Sequence, residues 1–310
     1  MVRKKLLVTG GLGNLGSWIT QDALEQFDVT VLARTRRDVQ IDGDFTLILA
    51  DLANRVGLLD VLKGLKFSYV IHAGSVNDGF VDGYSSISYT VNSFGTRNLI
   101  EALDLDSLEH FIYLSTFQVY GVYAGNINEQ TVAKPKNDYG MSHLLAEYFL
   151  TMDMPASKFS IIRLTNSYGC PKGMDSSKWY LVFNDLSRSA VANKEIKLSG
   201  NGKAVRDFIW MSDVSNTLLR LLVINARNEV YNLSKGEVMS MLDIAKKVRT
   251  AYLEYYGTSI PIKLNDEDNS NPDQSLVVCS SRIRDRLNII YEDRFVEEAI
   301  EIFKLLENSN

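Results

Sequence analysis

The chain is short of several things, and each shortage removes a class of protein. It has two cysteines, Cys170 and Cys279. Two thiols so far apart give neither a disulfide framework nor the close spacing of a structural metal site. No apolar run reaches the roughly 18 residues that would suggest a bilayer span. The start, Met1-Val2-Arg3-Lys4-Lys5, is basic, but the apolar run Leu6-Leu7-Val8 stops at Thr9-Gly10-Gly11, too soon for an export signal. There is no cationic excess: 33 Lys and Arg stand against 38 Asp and Glu, a net charge of −5. That balance argues against nucleic acid as the main partner, because phosphate backbones need a basic face. A small phosphorylated molecule stays open, since a helix N-terminus and a few local cations suffice to hold one. Repeats, low-complexity tracts, a G-x-S-x-G turn and paired metal ligands are also missing, so neither a hydrolase nor a metal site is expected. The expectation is a cytoplasmic protein with neither a nucleic-acid nor a membrane partner.

With 310 residues, 45% of them hydrophobic, the chain can fill a sizeable interior. Strands are predicted at Lys5–Thr9, Val29–Leu32, Thr46–Ala50, Tyr69–His72, Phe111–Ser115 and Phe159–Leu164. Between them, helices are predicted near Leu15–Gln26, Val56–Lys63, Ser85–Leu103 and Tyr139–Met152. Near-continuous apolar strands alternating with helices indicate an α/β fold with a doubly wound parallel sheet. The pattern loosens after about residue 166. Leu181–Ala192, Met241–Tyr256 and Arg294–Leu306 read as helices, and Asn265–Gln274 reads as a surface loop. Asn201-Gly202, between Ile196–Leu198 and Asp207–Trp210, is a hairpin-type turn signal. The predicted organisation is a first domain over 1–165, with part of 205–230 returning to it, and a smaller α/β lobe over 166–310.

Leu6-Leu7-Val8-Thr9-Gly10-Gly11-Leu12-Gly13-Asn14-Leu15-Gly16 runs from a buried strand through a glycine turn into a helix. Gly10, Gly13 and Gly16 satisfy G-x-x-G-x-x-G, and Gly11 in place of Gly10 satisfies G-x-G-x-x-G. Such glycines make the tight turn, admit a pyrophosphate to the backbone and let the helix pack close on the strand. The helix start at Asn14 and Leu15 then offers free N–H groups to the phosphates. This is the Rossmann dinucleotide pattern, and a glycine-rich turn without ligand is its plainer alternative. Where NAD-binding chains carry an acid for the ribose hydroxyls, the second strand ends Ala33-Arg34-Thr35-Arg36-Arg37. Arg34 and its neighbours could meet a 2′-phosphate, which favours NADP and leaves NAD open.

Further segments complete a recognisable set: Ala50-Asp51-Leu52, Val70-Ile71-His72-Ala73-Gly74, Leu114-Ser115-Thr116-Phe117-Gln118-Val119-Tyr120-Gly121 and Asn137-Asp138-Tyr139-Gly140-Met141-Ser142-His143. With the glycine loop, these resemble the extended short-chain dehydrogenase/reductase family over nearly the whole chain. That family consists mostly of nucleotide-sugar epimerases, dehydratases and reductases. The resemblance implies that Tyr139 exchanges a proton with a sugar hydroxyl, and that Ser115 and Thr116 lie at the substrate, with Thr116 orienting that hydroxyl. It also implies that Asp51 contacts the adenine; Leu52 and His72 are candidates for the cofactor beside it, and filling a strand end is the plainer alternative for His72. Asn166, in Arg163-Leu164-Thr165-Asn166-Ser167-Tyr168-Gly169, matches the asparagine that touches the substrate phosphate. Arg206, in Gly200–Ile209, matches the arginine that clamps the pyrophosphate of a nucleotide-diphosphate sugar; a surface pair with Asp207 is its plainer alternative. The resemblance also implies a homodimer through the helices near Ser85–Leu103 and Tyr139–Met152, with Ile87, Val91, Phe94, Leu145 and Phe149 available to line the shared face.

One position departs from the family. Its motif is Tyr-x-x-x-Lys, and the fourth residue after Tyr139 is His143. Positions i and i+4 share a helix face, so His143 takes the lysine's place at the cofactor. A histidine is mostly neutral near pH 7, and its help to Tyr139 is expected to depend on pH. Absent features narrow the reaction. Family 4,6-dehydratases follow the threonine with Asp-Glu, and this chain has Phe117-Gln118. Dehydration is therefore not expected, which leaves epimerisation at C4, net oxidation at C4, or reduction of a 4-keto sugar. A non-catalytic NADP sensor on the same fold is the alternative that His143 favours.

Overall fold

The computed structural model describes residues 3–77, 86–176, 178–224, 228–265 and 275–308. Seven strands form one sheet, and every pairing within it is parallel. They are β1 (Lys5–Thr9), β2 (Asp28–Ala33), β3 (Thr46–Leu49), β4 (Tyr69–His72), β5 (His110–Thr116), β7 (Phe159–Leu164) and β11 (Val230–Leu233). The order β11-β7-β5-β4-β1-β2-β3 reverses direction between β1 and β4. Above the carboxyl ends of those two strands the connecting helices part to opposite faces and leave a crevice.

The strands form because both of their faces are covered. Along β1, Leu6 and Val8 face a core shared with Ile19 and Ala23 of α1 (Asn14–Ala23) and with Val214, Leu218 and Leu221 of α7 (Met211–Val223). Leu7 faces the other core, made by Leu58 and Leu62 of α2 (Arg55–Leu62), Leu99 of α4 (Gly95–Ala102), and Ala146 and Leu150 of α5 (Asp138–Asp153). The same alternation divides Ile112 and Leu114 from Phe111 and Tyr113 on β5. Each such side chain taken fully out of water contributes about 1.5–3 kcal/mol.

The helix predicted over Ser85–Leu103 is not regular; Ser85 itself lies outside the described residues. After α3 (Ser86–Ser88), the turn Tyr89–Phe94 widens to i→i+5 bonding, Gly95 N–H donating to the Thr90 carbonyl, before α4 resumes. Buried Asn92 sits in this wide turn. It accepts from Val76 N at 2.8 Å and donates to Val76 O at 2.9 Å, which ties the helix to the segment leaving β4.

A second lobe carries the short sheet β8 (Asn166–Tyr168), β10 (Val205–Trp210) and β12 (Val238–Ser240). Around it lie α6 (Val182–Asn193), α8 (Met241–Tyr256) and α10 (Phe295–Glu307), centred on the stacked rings of Tyr168 and Phe295, 3.7 Å apart. The hairpin expected at Asn201-Gly202 is corrected here. Gly202 does turn with positive φ, but β9 (Ile196–Lys197) pairs with β13 (Ile262–Lys263), while β10 pairs with β8 and β12. The turn is instead fastened to the start of α8, since Met241 N donates to Ala204 O and Leu242 N to Gly202 O. The chain then returns to the large sheet through α7 and β11. β6 (Gly125–Ile127) pairs with β14 (Leu276–Val278), and α9 (Ser281–Leu287) packs beside β11. Of the predicted loop Asn265–Gln274, residues 266–274 lie outside the described residues. No described helix is long and apolar enough to cross a membrane.

Candidate active site

The glycine loop occupies the crevice at the β1/β4 reversal. Gly10 adopts φ +67°, and its N–H donates to Leu32 O at 2.8 Å, turning the chain across the sheet. A Cβ on Gly10 would sit 2.8 Å from Gly74 Cα, and one on Gly16 would sit 2.0 Å from the Gly10 carbonyl oxygen. Helix and strand therefore approach as only glycine permits. A Cβ on Gly13 would meet only the Gly10 oxygen, at 3.0 Å, so its outer side is open. Three helices are capped by side chains, α2 by Asn54, α5 by Asn137 and α8 by Ser240, whereas α1, like α6, α7 and α10, has no such cap. α1 starts at Gly13 with no capping side chain and no acid in its first turn. The first-turn N–H groups at Asn14, Leu15 and Gly16 thus fit a diphosphate. The Asn14 side chain has a buried Oδ1 without a hydrogen-bond partner among the described residues, while Leu15 packs on the core and can offer only its backbone.

Around the expected adenosine end, Ala33 closes β2 and is buried. Arg34 is exposed, with no side-chain partner among the described residues. Arg37 lines a small pocket with Gly13, Asn14, Ser17 and Lys172. Lys172 arrives from the second lobe on a segment fastened to the 37–40 loop: Asp38 N donates to Asp175 Oδ2 at 3.1 Å and Gln40 N to Lys172 O at 2.6 Å. Its position could not be read from sequence. Asp51 accepts from Ala53 N at 2.9 Å through one oxygen, and Leu52 is buried against Gly95 and Gly74.

His72 does not face the crevice. It is 1% exposed, with Nδ1 at 2.6 Å from Thr9 Oγ1 and Nε2 at 2.9 Å from Thr96 Oγ1. Burial, and secondarily His143, lower its pKa to about 3. The expectation that its side chain meets the cofactor is corrected: both nitrogens are committed to threonines that hold the strand ends together. Ser115 is corrected likewise. Its hydroxyl donates to Glu147 Oε1 at 2.5 Å, and Glu147 is paired with Arg163 in the interior.

Thr116 ends β5, and its Oγ1 caps the turn Phe117–Tyr120 by accepting from Gln118 N at 3.2 Å. The start of α5 docks on that turn. Asn137 donates to the Gln118 side chain at 2.9 Å, and a Cβ on Gly140 would lie 2.7 Å from Gln118 O. This brings Tyr139 to the same end of the sheet as Thr116. Burial, then the neighbouring Tyr180, raise the Tyr139 pKa to about 12, against a lowering hydrogen bond with Ser75. One turn further on, His143 packs edge-on to the Tyr139 ring, centroids 4.6 Å apart. It is 2% exposed, and burial lowers its pKa to about 3. The expected pH-dependent help from His143 is therefore corrected, because the imidazole is neutral throughout the working range. Tyr113, Glu147, Ser75 and Tyr180 were missed in the sequence. Tyr139, His143 and Glu147 do recur at i, i+4 and i+8, a stripe of polar residues on one helix face that could have drawn attention to the third.

On the second lobe, Asn166 Nδ2 donates to the Asp207 carbonyl at 2.9 Å. Asp207 is turned inward, accepting from Thr165 Oγ1 and from the Lys235 and Gly236 N–H groups. Burial raises its pKa to about 6 against those bonds. Arg206, on the opposite face of β10, is exposed and among the described residues bonds only to the neighbouring Val205 carbonyl. It makes no ion pair with Asp207, and its guanidinium is available to a ligand. Among the described residues no group of His, Cys, Asp and Glu is arranged to hold a metal ion.

Comparison with known proteins identifies the family and the fold. The model of the NAD dependent epimerase/dehydratase family matches residues 6–234. The GDP-6-deoxy-D-talose 4-dehydrogenase of Aggregatibacter actinomycetemcomitans is 28% identical over 244 residues, 77% of each chain. The dTDP-D-glucose 4,6-dehydratase of Dictyostelium discoideum is 26% identical over 276 residues, 79% of this chain and 61% of that one. Among solved structures, the UDP-N-acetylglucosamine 4-epimerase of Methanobrevibacter ruminantium superposes with a TM-score of 0.81 at 20% identity, covering 100% of both chains. Glycine loop and parallel sheet accord with these matches: the chain belongs to the NAD-dependent epimerase/dehydratase family of extended short-chain dehydrogenases/reductases.

Proposed function

We propose that the protein is an NAD(P)-dependent oxidoreductase or epimerase acting on the sugar of a nucleotide-diphosphate sugar, at C4. The observation carrying this is the pairing, at one sheet end, of the uncapped glycine-lined start of α1 with Tyr139. The N–H groups of Asn14, Leu15 and Gly16 would hold a dinucleotide's pyrophosphate, with Asp51 and Leu52 at its adenosine end. The nicotinamide, when bound, supplies the hydride acceptor or donor. Tyr139 exchanges a proton with the sugar hydroxyl, and Thr116 orients that hydroxyl. Arg206 meets the substrate diphosphate with its guanidinium fork, and Asn166 lies beside it. Phe117-Gln118 supplies neither acid nor base for eliminating water, so the reading favours a C4 epimerase, dehydrogenase or reductase over a 4,6-dehydratase. The test is a panel of UDP-, GDP-, CDP- and dTDP-sugars with purified protein, following reduced-nicotinamide absorbance and product identity. No turnover with any of them, despite tight cofactor binding, favours the second reading, a cofactor-binding sensor, which the neutral His143 supports.

NADP is expected to bind more tightly than NAD, because Ala33 supplies no acid and Arg34 is unpaired. A hydrogen bond to a charged group contributes about 1.5–3 kcal/mol. Arg34→Ala should therefore weaken NADP at least about tenfold and leave NAD unchanged. Calorimetric titration of both cofactors decides this, and a preference for NAD that survives Arg34→Ala removes the idea.

A homodimer is also part of the proposal, with an adjusted surface. Val91 and Phe149 belong to the interior, whereas Ile87, Phe94, Met141, Tyr148 and Met152 are exposed on α3–α5 and the wide turn between α3 and α4. A double substitution, Tyr148→Glu with Met152→Glu, should turn a dimer into a monomer in sedimentation velocity. Wild-type protein that stays monomeric at every concentration rules the dimer out.

A further inference from the structure

Behind Tyr139, a line of buried polar groups runs from β1 to α5. Gly74 N donates to Thr9 Oγ1 at 3.1 Å, Thr9 Oγ1 meets His72 Nδ1, and His72 Nε2 meets Thr96 Oγ1. Thr96 in turn donates to the Asn92 carbonyl at 2.5 Å. The Tyr113 ring lies 5.5 Å from His72 and 5.8 Å from His143, and its hydroxyl is 2.7 Å from His143 Nδ1. The remaining nitrogen, His143 Nε2, is buried and has no hydrogen-bond partner among the described residues.

Counting protons along this line assigns the tautomers. Thr96 has one hydroxyl proton, and the Asn92 carbonyl takes it. His72 must then carry its proton on Nε2 and accept from Thr9 at Nδ1. His72 is therefore a neutral, fully satisfied spacer. Between Tyr113 and His143 the choice follows from the chemistry of the two groups. A phenol oxygen shares its lone pair with the ring, which makes it a better donor than acceptor, whereas an imidazole nitrogen is a strong acceptor. Thr96, the other hydrogen-bond neighbour of Tyr113, already meets His72 and gives its proton to Asn92, so the Tyr113 hydroxyl donates to the stronger acceptor Nδ1 and the single proton of the neutral imidazole sits on Nε2. Buried N–H groups without a partner are rare in folded proteins, and this one lies a turn below Tyr139, beside the strand ends where the sheet reverses.

We propose that Tyr113 is a positioning residue that fixes His143 as the Nε2–H tautomer, and that this N–H is a neutral donor reserved for an oxygen of the bound dinucleotide. The inference rests on the proposed function, because it needs a dinucleotide in the crevice. It differs from a simple replacement of lysine. The group supplies a directed hydrogen bond in place of a charge, and the direction is set by a residue on β5 instead of α5. Tyr113→Phe removes one oxygen, keeps the ring, and leaves Nδ1 free to take the proton.

The experiment combines nitrogen-15 NMR of the histidines with cofactor titration. In free wild-type protein His143 should be a single Nε2–H tautomer that does not titrate between about pH 6 and pH 8, since burial disfavours its charged form. In Tyr113→Phe the Nδ1–H tautomer should appear and cofactor Kd should rise about tenfold, the effect of one hydrogen bond. A role for Tyr113 in packing alone would not move the tautomer. Wild-type His143 found as Nδ1–H, or an unchanged tautomer and Kd in Tyr113→Phe, overturns the inference and leaves the proposed function standing. Wild-type protein that binds neither NAD nor NADP removes both. Should Tyr113→Phe fail to fold, His143→Gln and His143→Phe replace it. Glutamine keeps an N–H donor and phenylalanine has none, so a tenfold gap in Kd supports the role and equal values overturn it.

Discussion

Tyr139→Phe is expected to lower turnover by about 10²–10⁴-fold, the range typical of a positioned acid or base, while cofactor affinity stays near wild type. The structure adds a direction to that expectation. With its pKa raised to about 12, Tyr139 is a phenol throughout the working range, and only ~10⁻⁴ of it is phenolate at pH 8. Oxidising a sugar hydroxyl needs the phenolate, so the oxidative rate should climb about tenfold per pH unit above neutrality. Reducing a keto sugar needs the phenol, which is fully present below the pKa, so the reductive rate should stay level over the same range. His143 cannot flatten the oxidative slope, because its pKa of about 3 leaves no positive charge beside the tyrosine at any working pH. A lysine at position 143 would supply one, and each unit by which it lowers the tyrosine pKa corresponds to roughly 1.4 kcal/mol. His143→Lys should therefore shift the oxidative profile to lower pH. Rate profiles in both directions for the three proteins provide the check. Tyr139→Phe matching an active wild type at every pH would mean that this tyrosine moves no proton and that another group is the acid and base.

What could be read in advance depended on whether the determinant was local. The glycine loop was legible because each glycine answers a constraint set within a few residues: the Gly10 turn, the open side of Gly13, the contact of Gly16 with the Gly10 carbonyl. The parallel strands were legible because burial on both faces leaves runs such as Leu6-Leu7-Val8, and all six predicted strands match to within one residue at each end. The pairing of β9 was not legible. A strand of two residues has almost no register information of its own, and its partner β13 lies about 65 residues away. The wide turn at Tyr89–Phe94 also escaped, since it is tied to Val76 by the Asn92 side chain. The resemblance put His72 and Ser115 at the ligand, yet in the fold Thr9, Thr96 and Glu147 claim their polar atoms first. A strand-end polar residue can serve a ligand only through a donor or acceptor that the protein leaves unused, as Thr116 accepts from Gln118 N and keeps its hydroxyl proton. The sequence does not say so, whereas the orphaned Nε2 of His143 does.

The same rule gives the largest expected change in stability, at Glu147. This residue lies one turn beyond His143, with its side chain 6% exposed, facing Arg163 at 9%. The pair is bidentate, Nε to Oε1 at 3.1 Å and Nη2 to Oε2 at 2.6 Å, and Ser115 adds a third donor to the carboxylate. The Arg163 guanidinium also lies 4.7 Å from the centre of the Tyr120 ring. Burial works against its charge, but the hydrogen bonds and charge of Glu147 outweigh it, so the Arg163 pKa ends above its usual value. Removing one partner leaves the other charged in the interior, which costs about 3–5 kcal/mol. Glu147→Ala should therefore cost that much in chemical unfolding, a large share of the ~5–15 kcal/mol that holds a typical domain folded. Removing both charges is a different matter, because no lone ion remains. The double variant Glu147→Leu with Arg163→Met should recover most of the loss, since replacing a buried pair by apolar groups of similar volume is often close to neutral. The charge-keeping variant Glu147→Asp distinguishes distance from charge: its carboxylate is one methylene too short to reach both guanidinium nitrogens and Ser115, so it should fall between wild type and alanine. Because Ser115 adjoins Thr116 at the end of β5, the alanine variant should also lower turnover by loosening the strand end that presents Thr116. A Glu147→Ala protein that unfolds within about 1 kcal/mol of wild type would show that this pair behaves as a solvated surface bridge, and that the end of β5 is held by packing alone.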